Sequence, residues 1–346
     1  MNIKKEKAIQ FSNKFLTKLG LSKNNSAIVS NNLVKSDMCN HFSHGINRLI
    51  QYYHGIHNGI YKINAKPKVF KKDKNFILIK SNHCLGQIAM SVACETIIKK
   101  GENISITALV NAGHIGRLSD YNEILARKNF ISIIFCNGGG PNTSVYPSTK
   151  RLVGTNPFSL GIPLNRGKKF IVDFATSKLA EGKINLALLD GKKLSGFPIV
   201  SKKGNLSNKP ADLYSGGALI PFGEIKGSAF LLVNEILGGL LISGNNPLNK
   251  NYLDGNNCLI ISFKKKLFSY NKDFFNQFLK LKNIFKTSKK IKNLAIKRFY
   301  LPGEKEEEEL KKSNKNGINY NKKIIVRLNN FAKINLNFKK EDFLKS

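Results

Sequence analysis

Between Phe76 and Cys136 the chain alternates two kinds of hydrophobic spacing, and that alternation limits the folds open to it. Phe76-Ile-Leu-Ile79 reads as a strand, and Leu85–Lys100 as a helix with Ile88, Val92 and Ile97 inward and Gly101 past its end. Ile104–Val110 alternates with period two, Asp120–Lys128 has helical spacing, and Phe130–Cys136 is a continuous apolar strand. Strand, helix, strand, helix, strand predicts an α/β core. A Rossmann crevice needs G-x-G-x-x-G between a strand and a helix, so that the backbone can close on a pyrophosphate. The glycine run Gly138-Gly-Gly-Pro141 follows a strand but leads into a loop, so that kind of site is not predicted.

Helical segments flank this core. Residues 5–19 carry Ala8, Ile9, Phe11, Phe15 and Leu19 at helical spacing before Gly20, and a second helix runs from Ser22 or Asn25 to Met38. A third is expected from about His44 through Tyr53 to Gly55. Further on come a strand at Phe170–Phe174, a helix at Lys178–Leu189 and a lysine-rich loop over about 190–217. An apolar helix then ends near Ser243-Gly244, and the strand Cys258–Phe263 closes the region. From Asp273 the pattern is helical past Thr287. Leu301-Pro-Gly-Glu304 precedes a last acidic helix in which Glu307–Lys311 and Glu308–Lys312 are expected ion pairs. The most apolar window, Phe230–Ile242, holds 13 residues including Asn234 and Glu235, too short and too polar to span a bilayer.

Charge is lopsided, with 57 Lys and Arg against 22 Asp and Glu, a net +35. Such a balance suits an anionic partner. The lysines are scattered along the whole chain, however, whereas nucleic-acid binding expects a clustered stripe, so no nucleic acid is predicted. Anionic small molecules would feel the same field. Five cysteines (39, 84, 94, 136, 258) form no close pair, which argues for a reducing compartment. With no signal peptide visible, a cytoplasmic protein is expected.

Chemistry concentrates in residues 36–48, where His41, His44, Ser43, Gly45 and Arg48 crowd together. On a helix, 44 and 48 share a face. An imidazole can pass a proton near neutral pH, and a guanidinium fork can hold a carboxylate bidentately. The bland alternative is a polar helix start with a satisfied histidine. His54 and His57 repeat the His-x-x-His spacing, but no third ligand accompanies either pair and no metal is predicted. His114 sits in the loop Asn111-Ala-Gly-His-Ile-Gly-Arg117, where binding residues tend to be displayed. Asp173 could take a ribose hydroxyl or cap the following helix. Lys226, between Gly223 and Gly227 at a helix start, has the make-up of an anion site. Thr155-Asn156 before Pro157 could be a turn and nothing more.

Taken in order, Ser43-His-Gly-Ile-Asn-Arg48, Asn111-Ala-Gly-His-Ile-Gly116, Gly154-Thr-Asn-Pro157, Val172-Asp-Phe-Ala-Thr-Ser177, Lys226-Gly-Ser228 and Leu301-Pro-Gly-Glu304 resemble the successive motifs of the malate/L-lactate dehydrogenase family. The resemblance runs from residue 5 to about 335. It implies an NAD- or NADP-dependent homodimer with a non-Rossmann dinucleotide-binding α/β domain over residues 76–270. A helical substrate and dimer region over 1–75 would pack with a C-terminal helical region over 271–346.

By the same resemblance, His44 and His114 are the acid/base candidates. Arg48 would hold the substrate carboxylate, with Ser43, Thr155 and Asn156 orienting it. Ile171, Val172, Asp173, Phe174, Ala175, Thr176, Ser177, Ile225, Lys226, Gly303 and Glu304 would line the cofactor. The chain departs from the family pattern at Gly138, where serine is usual, at Tyr146, where tryptophan is usual, and in a shortened stretch over 244–257. The implied reaction is hydride transfer between nicotinamide and C2 of a small 2-hydroxy or 2-oxo acid. Reduction of a cyclic imino acid, and a catalytically silent member, are the alternatives. NAD and NADP are not distinguished.

Overall fold

The computed structural model describes the chain except residues 166, 244–246, 248, 250, 251, 290, 293–297 and 346. Helices α1 (Lys5–Lys18) and α2 (Lys23–Met38) pack together, and Ser22 Oγ caps α2 by accepting the Asn25 N–H. The helix expected from His44 is divided. Phe42–His44 is a 3-10 turn, Gly45 is extended, and α3 covers Arg48–His57. The cause is the buried carboxyl group of Asp37, which accepts the Ile46 N–H at 2.9 Å. Gly45 lies so close to it that a Cβ there would stand 1.6 Å from Asp37 Oδ1.

Next come β1 (Lys68–Lys72), β2 (Phe76–Lys80), α4 (Gly86–Lys100), β3 (Ile104–Ala112), α5 (Ser119–Arg127) and β4 (Phe130–Gly138). They are followed by β5 (Phe158–Pro163), β6 (Lys169–Phe174), α6 (Glu181–Asp190), α7 (Ile225–Glu235) and β7 (Asn256–Lys264). Last are α8 (Phe274–Thr287), α9 (Glu304–Asn316) and α10 (Lys322–Leu336). The α/β fold is mixed: seven strands pair in the order β1-β2-β3-β7-β4-β5-β6, with β2–β3 parallel and the other pairs antiparallel. The strand expected to close the region, β7, lies instead at the centre, between β3 and β4. β5 escaped the sequence pattern because Gly161 and Pro163 mark it as a weak strand.

The segment expected as loop over 190–217 contains a short helix, Pro210–Tyr214. Its residues Ile199–Val200 and Leu206–Ser207 also join Ala218–Leu219 in a small sheet. Helix α7 runs on through a π turn at Ile236–Leu240 to Ser243, the expected end, and its 19 helical residues extend beyond the 13-residue apolar window. By length and composition it could cross a bilayer, but 39% of it is buried, and Gly238 and Gly239 lie against Asn137 of β4. On α9 the Glu307–Lys311 pair forms at 3.0 Å. Glu308 turns to Arg298 and Lys312 to Glu309 in place of the other expected pair.

One apolar cluster joins Phe15 and Leu33, the sheet residues Ile77, Leu109, Ile134 and Cys258, and Leu328 of α10. The two ends of the chain are stitched as well, since Asn2–Ile3 pairs with Ile318–Asn319 and the Met1 amine donates to the Tyr320 carbonyl. The third helix and the loop after β3 meet where Tyr52 approaches His114.

Candidate active site

His44 and His114 stand face to face, their ring centroids 5.6 Å apart and their planes 23° from parallel. Seventy positions separate them in sequence, and the fold closes the distance. Both line a cavity of about 840 Å³, together with Arg48, Thr155, Glu181 and Gly138-Gly139-Gly140. Ser43 Oγ lies 3.0 Å from His44 Nδ1. Helix α6 presses on this turn at Gly182, where a Cβ would meet that of Ser43 at 2.3 Å, so only glycine lets the two backbones approach.

Arg48 is held from behind. Its Nε donates to the Ser43 carbonyl and one terminal nitrogen to Gln51 Oε1, each at 2.6 Å, while the other stands 3.8 Å from Glu181. A guanidinium has five N–H groups, so this anchoring leaves N–H groups on both terminal nitrogens for a carboxylate.

His114 is oriented by two residues that the sequence did not flag. Tyr52 Oη lies 2.9 Å from His114 Nδ1, and Gln87 Nε2 donates to that oxygen at 2.6 Å. The phenol oxygen can accept from Gln87 and from Nδ1–H together, which leaves the Nε2 lone pair free to exchange a proton. Tyr52 lies mid-way along α3, and Gln87 is one polar residue at the start of an apolar helix. Neither carries a sequence signal without the fold.

Both imidazoles are less basic than a free one. Burial lowers His44 to about 3, with the Arg48 charge adding to it. Burial, then Arg48 and His44, holds His114 well below the usual histidine range. The pair is therefore neutral at working pH before substrate enters, where the sequence reading expected ordinary titration. An anion on Arg48 would cancel part of that repulsion and raise both imidazoles' affinity for a proton.

A second cavity of about 390 Å³ is lined by Ile171, Val172, Gly303 and Lys169. It shares His41, Arg117, Asp173 and Phe174 with the first. Arg117, 4% exposed, pairs with Asp120 at 2.7 Å, yet its Nε and one terminal nitrogen find no acceptor among the described residues. Unpaired buried N–H groups are costly, and an anion between the two cavities would satisfy them. Gly139, at φ +66 with open space about it, adds an unobstructed stretch of wall to the larger cavity. These features suit a dinucleotide lying across both cavities.

The sequence-predicted residues divide. Ala175 and Ser177 line the larger cavity, while Thr176 is buried and donates to the Thr155 carbonyl. Asp173 lines both cavities, but its Oδ2 accepts the Ser119 N–H at 2.7 Å, so it caps α5 and not the helix after Lys178. Asn156 is turned into the interior, where it donates to Glu235 and accepts from Gly138 N–H. Glu304 is taken up by Lys282 and the Leu301 N–H. Ile225, 71% exposed, and Lys226 stand outside the walls of both cavities. His41 pairs with Glu306 at 3.1 Å. His54 packs against Phe331, and His57 Nδ1 meets the Tyr53 carbonyl. Among the described residues no group of three His, Cys, Asp or Glu could hold a metal. Tyr146 donates its backbone N–H to Ser228, away from the cavities.

A guanidinium beside paired imidazoles, with room for a dinucleotide, suits an oxidoreductase of small hydroxy acids. The comparisons agree: a model of the malate/L-lactate dehydrogenase family matches residues 3–329, and the chain belongs to that family. It is 29% identical to malate dehydrogenase of Pyrococcus abyssi, over 96% of this chain and 94% of that one. It is also 31% identical to malate dehydrogenase of Pyrococcus horikoshii, over 66% of this chain and 64% of that one. The solved structure of the P. horikoshii protein superposes with a TM-score of 0.85 at 26% identity, covering 98% of this chain and 96% of that one. Sulfolactate dehydrogenase of Methanocaldococcus jannaschii superposes equally well, with a TM-score of 0.85 at 26% identity over 99% of each chain.

Proposed function

We propose that the protein interconverts a small 2-oxo acid and its 2-hydroxy acid, with malate-like acids as the substrate class. Arg48 binds the C1 carboxylate, and His114 exchanges the proton at the oxygen on C2. The observation that carries this reading is the convergence of Arg48, His44 and an oriented His114 on one cavity. Bound nicotinamide supplies or accepts the hydride.

The chain's own residues do the rest. Ser43 and Gln51 hold the Arg48 fork, so the substrate enters in one orientation and C2 is presented at a fixed distance. Tyr52 occupies Nδ1 of His114, which leaves Nε2 to face the reacting oxygen. In reduction, carboxylate binding offsets the Arg48 charge and lets the imidazole take up a proton. The positive ring, still crowded by burial, then gives that proton readily to the forming alkoxide. In oxidation the neutral ring receives it back. His44, stacked on His114 and tied to Ser43, lines the same cavity beside the ring.

The exposed apolar face of the long helix, with Ile225 at 71%, Ile236 at 48% and Leu241 at 68% exposed, supports a homodimer packed through α7. The dinucleotide would be held along Ile171–Phe174, Arg117 and Gly303, and this reading leaves NAD and NADP equal.

A panel of 2-oxo acids and cyclic imino acids, followed by nicotinamide absorbance with NADH and NADPH separately, tests the proposal. Turnover of 2-oxo acids is expected, with His114→Ala reducing kcat by about 10²- to 10⁴-fold while dinucleotide still binds. Turnover confined to cyclic imines would replace the substrate, and bound dinucleotide with no turnover across the panel would overturn the enzymatic reading. A near-normal rate in His114→Ala would overturn the proton-transfer assignment.

A further inference from the structure

The loop carrying His114 is fastened by two neighbouring side chains of β7. Asn257 Oδ1 accepts the Asn111 N–H at 2.7 Å, and Asn256 Oδ1 accepts the Ile115 N–H at 3.0 Å, so one bond lies on each side of His114. Both amides are themselves fixed. Asn256 Nδ2 donates to the Asn137 carbonyl at 3.0 Å, and Asn257 donates through Nδ2 and its backbone N–H to Asn137 Oδ1 at 3.0 and 3.1 Å. Asn137 in turn donates to one oxygen of Glu235 on α7, and Asn156 donates to the other. Asn137, Asn156, Asn257 and Glu235 are all buried. Buried amides are costly unless bonded, and here the bonds run without a break from α7 to the loop.

The same arrangement accounts for Gly138. A Cβ at that position would stand 1.4 Å from Asn256 Nδ2, so any side chain there expels the Asn256 amide.

We infer that Asn256 is a positioning residue for the proton transfer, acting through His114, and that Gly138 is the space its amide requires. Asn257 supports it from the other end of the loop. The inference rests on His114 as the proton carrier. It also gives β7 a reason to be central, since only a strand between β3 and β4 reaches both the loop and Asn137.

The test is a double-mutant cycle in the full-length enzyme, with cofactor affinity read by quenching of bound NADH or NADPH fluorescence. A displacement of about 1 Å in a reacting group costs on the order of 10²-fold. Asn256→Ala should therefore lower kcat by about 10- to 100-fold and leave the dinucleotide dissociation constant within about twofold. In a His114→Ala background the same substitution should have little further effect, because residues that act as a unit are not additive. Gly138→Ser should lower kcat in the native background and do less once Asn256 is alanine.

If Asn256→Ala fails to fold, the isosteric Asn256→Asp serves. It keeps the acceptor for Ile115 N–H, loses the donor to Asn137, and should show a smaller loss with the same dependence on His114. Equal losses in both backgrounds, or an undiminished kcat, would overturn the inference while leaving His114 in place. Normal turnover in His114→Ala would instead remove the reading on which it rests.

Discussion

Asp37→Asn should make the protein more stable at neutral pH without harming the site. Asp37 is 2% exposed; its Oδ2 accepts the Ile46 N–H and the Tyr320 hydroxyl, each at 2.9 Å, and its Oδ1 has no partner among the described residues. Burial outweighs those two bonds and pushes the carboxyl up from 3.8 to about 8. The unfolded chain releases this proton above pH 3.8, whereas the folded chain keeps it to about pH 8. The folded state thus binds more protons in that window, so stability falls as pH rises through it and levels off above. Each unit is worth about 1.4 kcal/mol, and roughly three units separate the unfolded value from pH 7, giving about 4 kcal/mol as an upper figure.

Asparagine has the same shape, keeps an acceptor for both donors and does not ionise. Urea unfolding of both proteins at several pH values between about 5 and 8 measures the effect. The variant should gain up to about 4 kcal/mol at pH 7, with the gap closing toward pH 4. Because the Ile46 bond survives, the 3-10 turn bearing Ser43 and His44 stays in place and kcat is retained. Parallel stability–pH curves for the two proteins would refute the reasoning.

Two further substitutions test the clamp and the ring. Arg48→Lys removes the bidentate fork and the bonds to Ser43 and Gln51, so KM for the acid should rise. A lost charged hydrogen bond of about 1.5–3 kcal/mol corresponds to roughly a 10- to 150-fold fall in kcat/KM. Steady-state kinetics with saturating dinucleotide checks this, and an unchanged kcat/KM would dismiss the clamp. Tyr52→Phe frees His114 Nδ1 and strands the buried Gln87 amide, which should cost about 1–3 kcal/mol of stability. A fall in kcat of about tenfold should accompany it as the ring loses its fixed tautomer. Denaturant unfolding and the pH profile of kcat read the two effects separately, and a native profile would free Tyr52 of the role.

Much of the local structure was legible because hydrophobic period reports which near neighbours share a buried face. That is why α1, α2, α4, β3 and β6 lie within a few residues of their expected limits. The motif at 43–48 announced its chemistry through residue types alone. Its geometry did not follow, because Asp37 and Tyr320 hold the turn open and Tyr320 lies far away in sequence. Asn156 and Asp173 illustrate the same limit. Their motifs marked them for substrate and ribose, but a polar side chain bonds to whatever the fold sets beside it, here Glu235 and the start of α5.

The sequence by itself determined the family, the mixed α/β class and the kinds of groups that could do the chemistry. Those properties reside in short, ordered stretches of chain. Tertiary structure decided that β7 enters the middle of the sheet, that His114 meets His44 and Tyr52, and that both imidazoles hold a proton less tightly than a free one. Each of these depends on which distant segments exclude water from a side chain, and desolvation is a property of the packed whole that no local pattern carries.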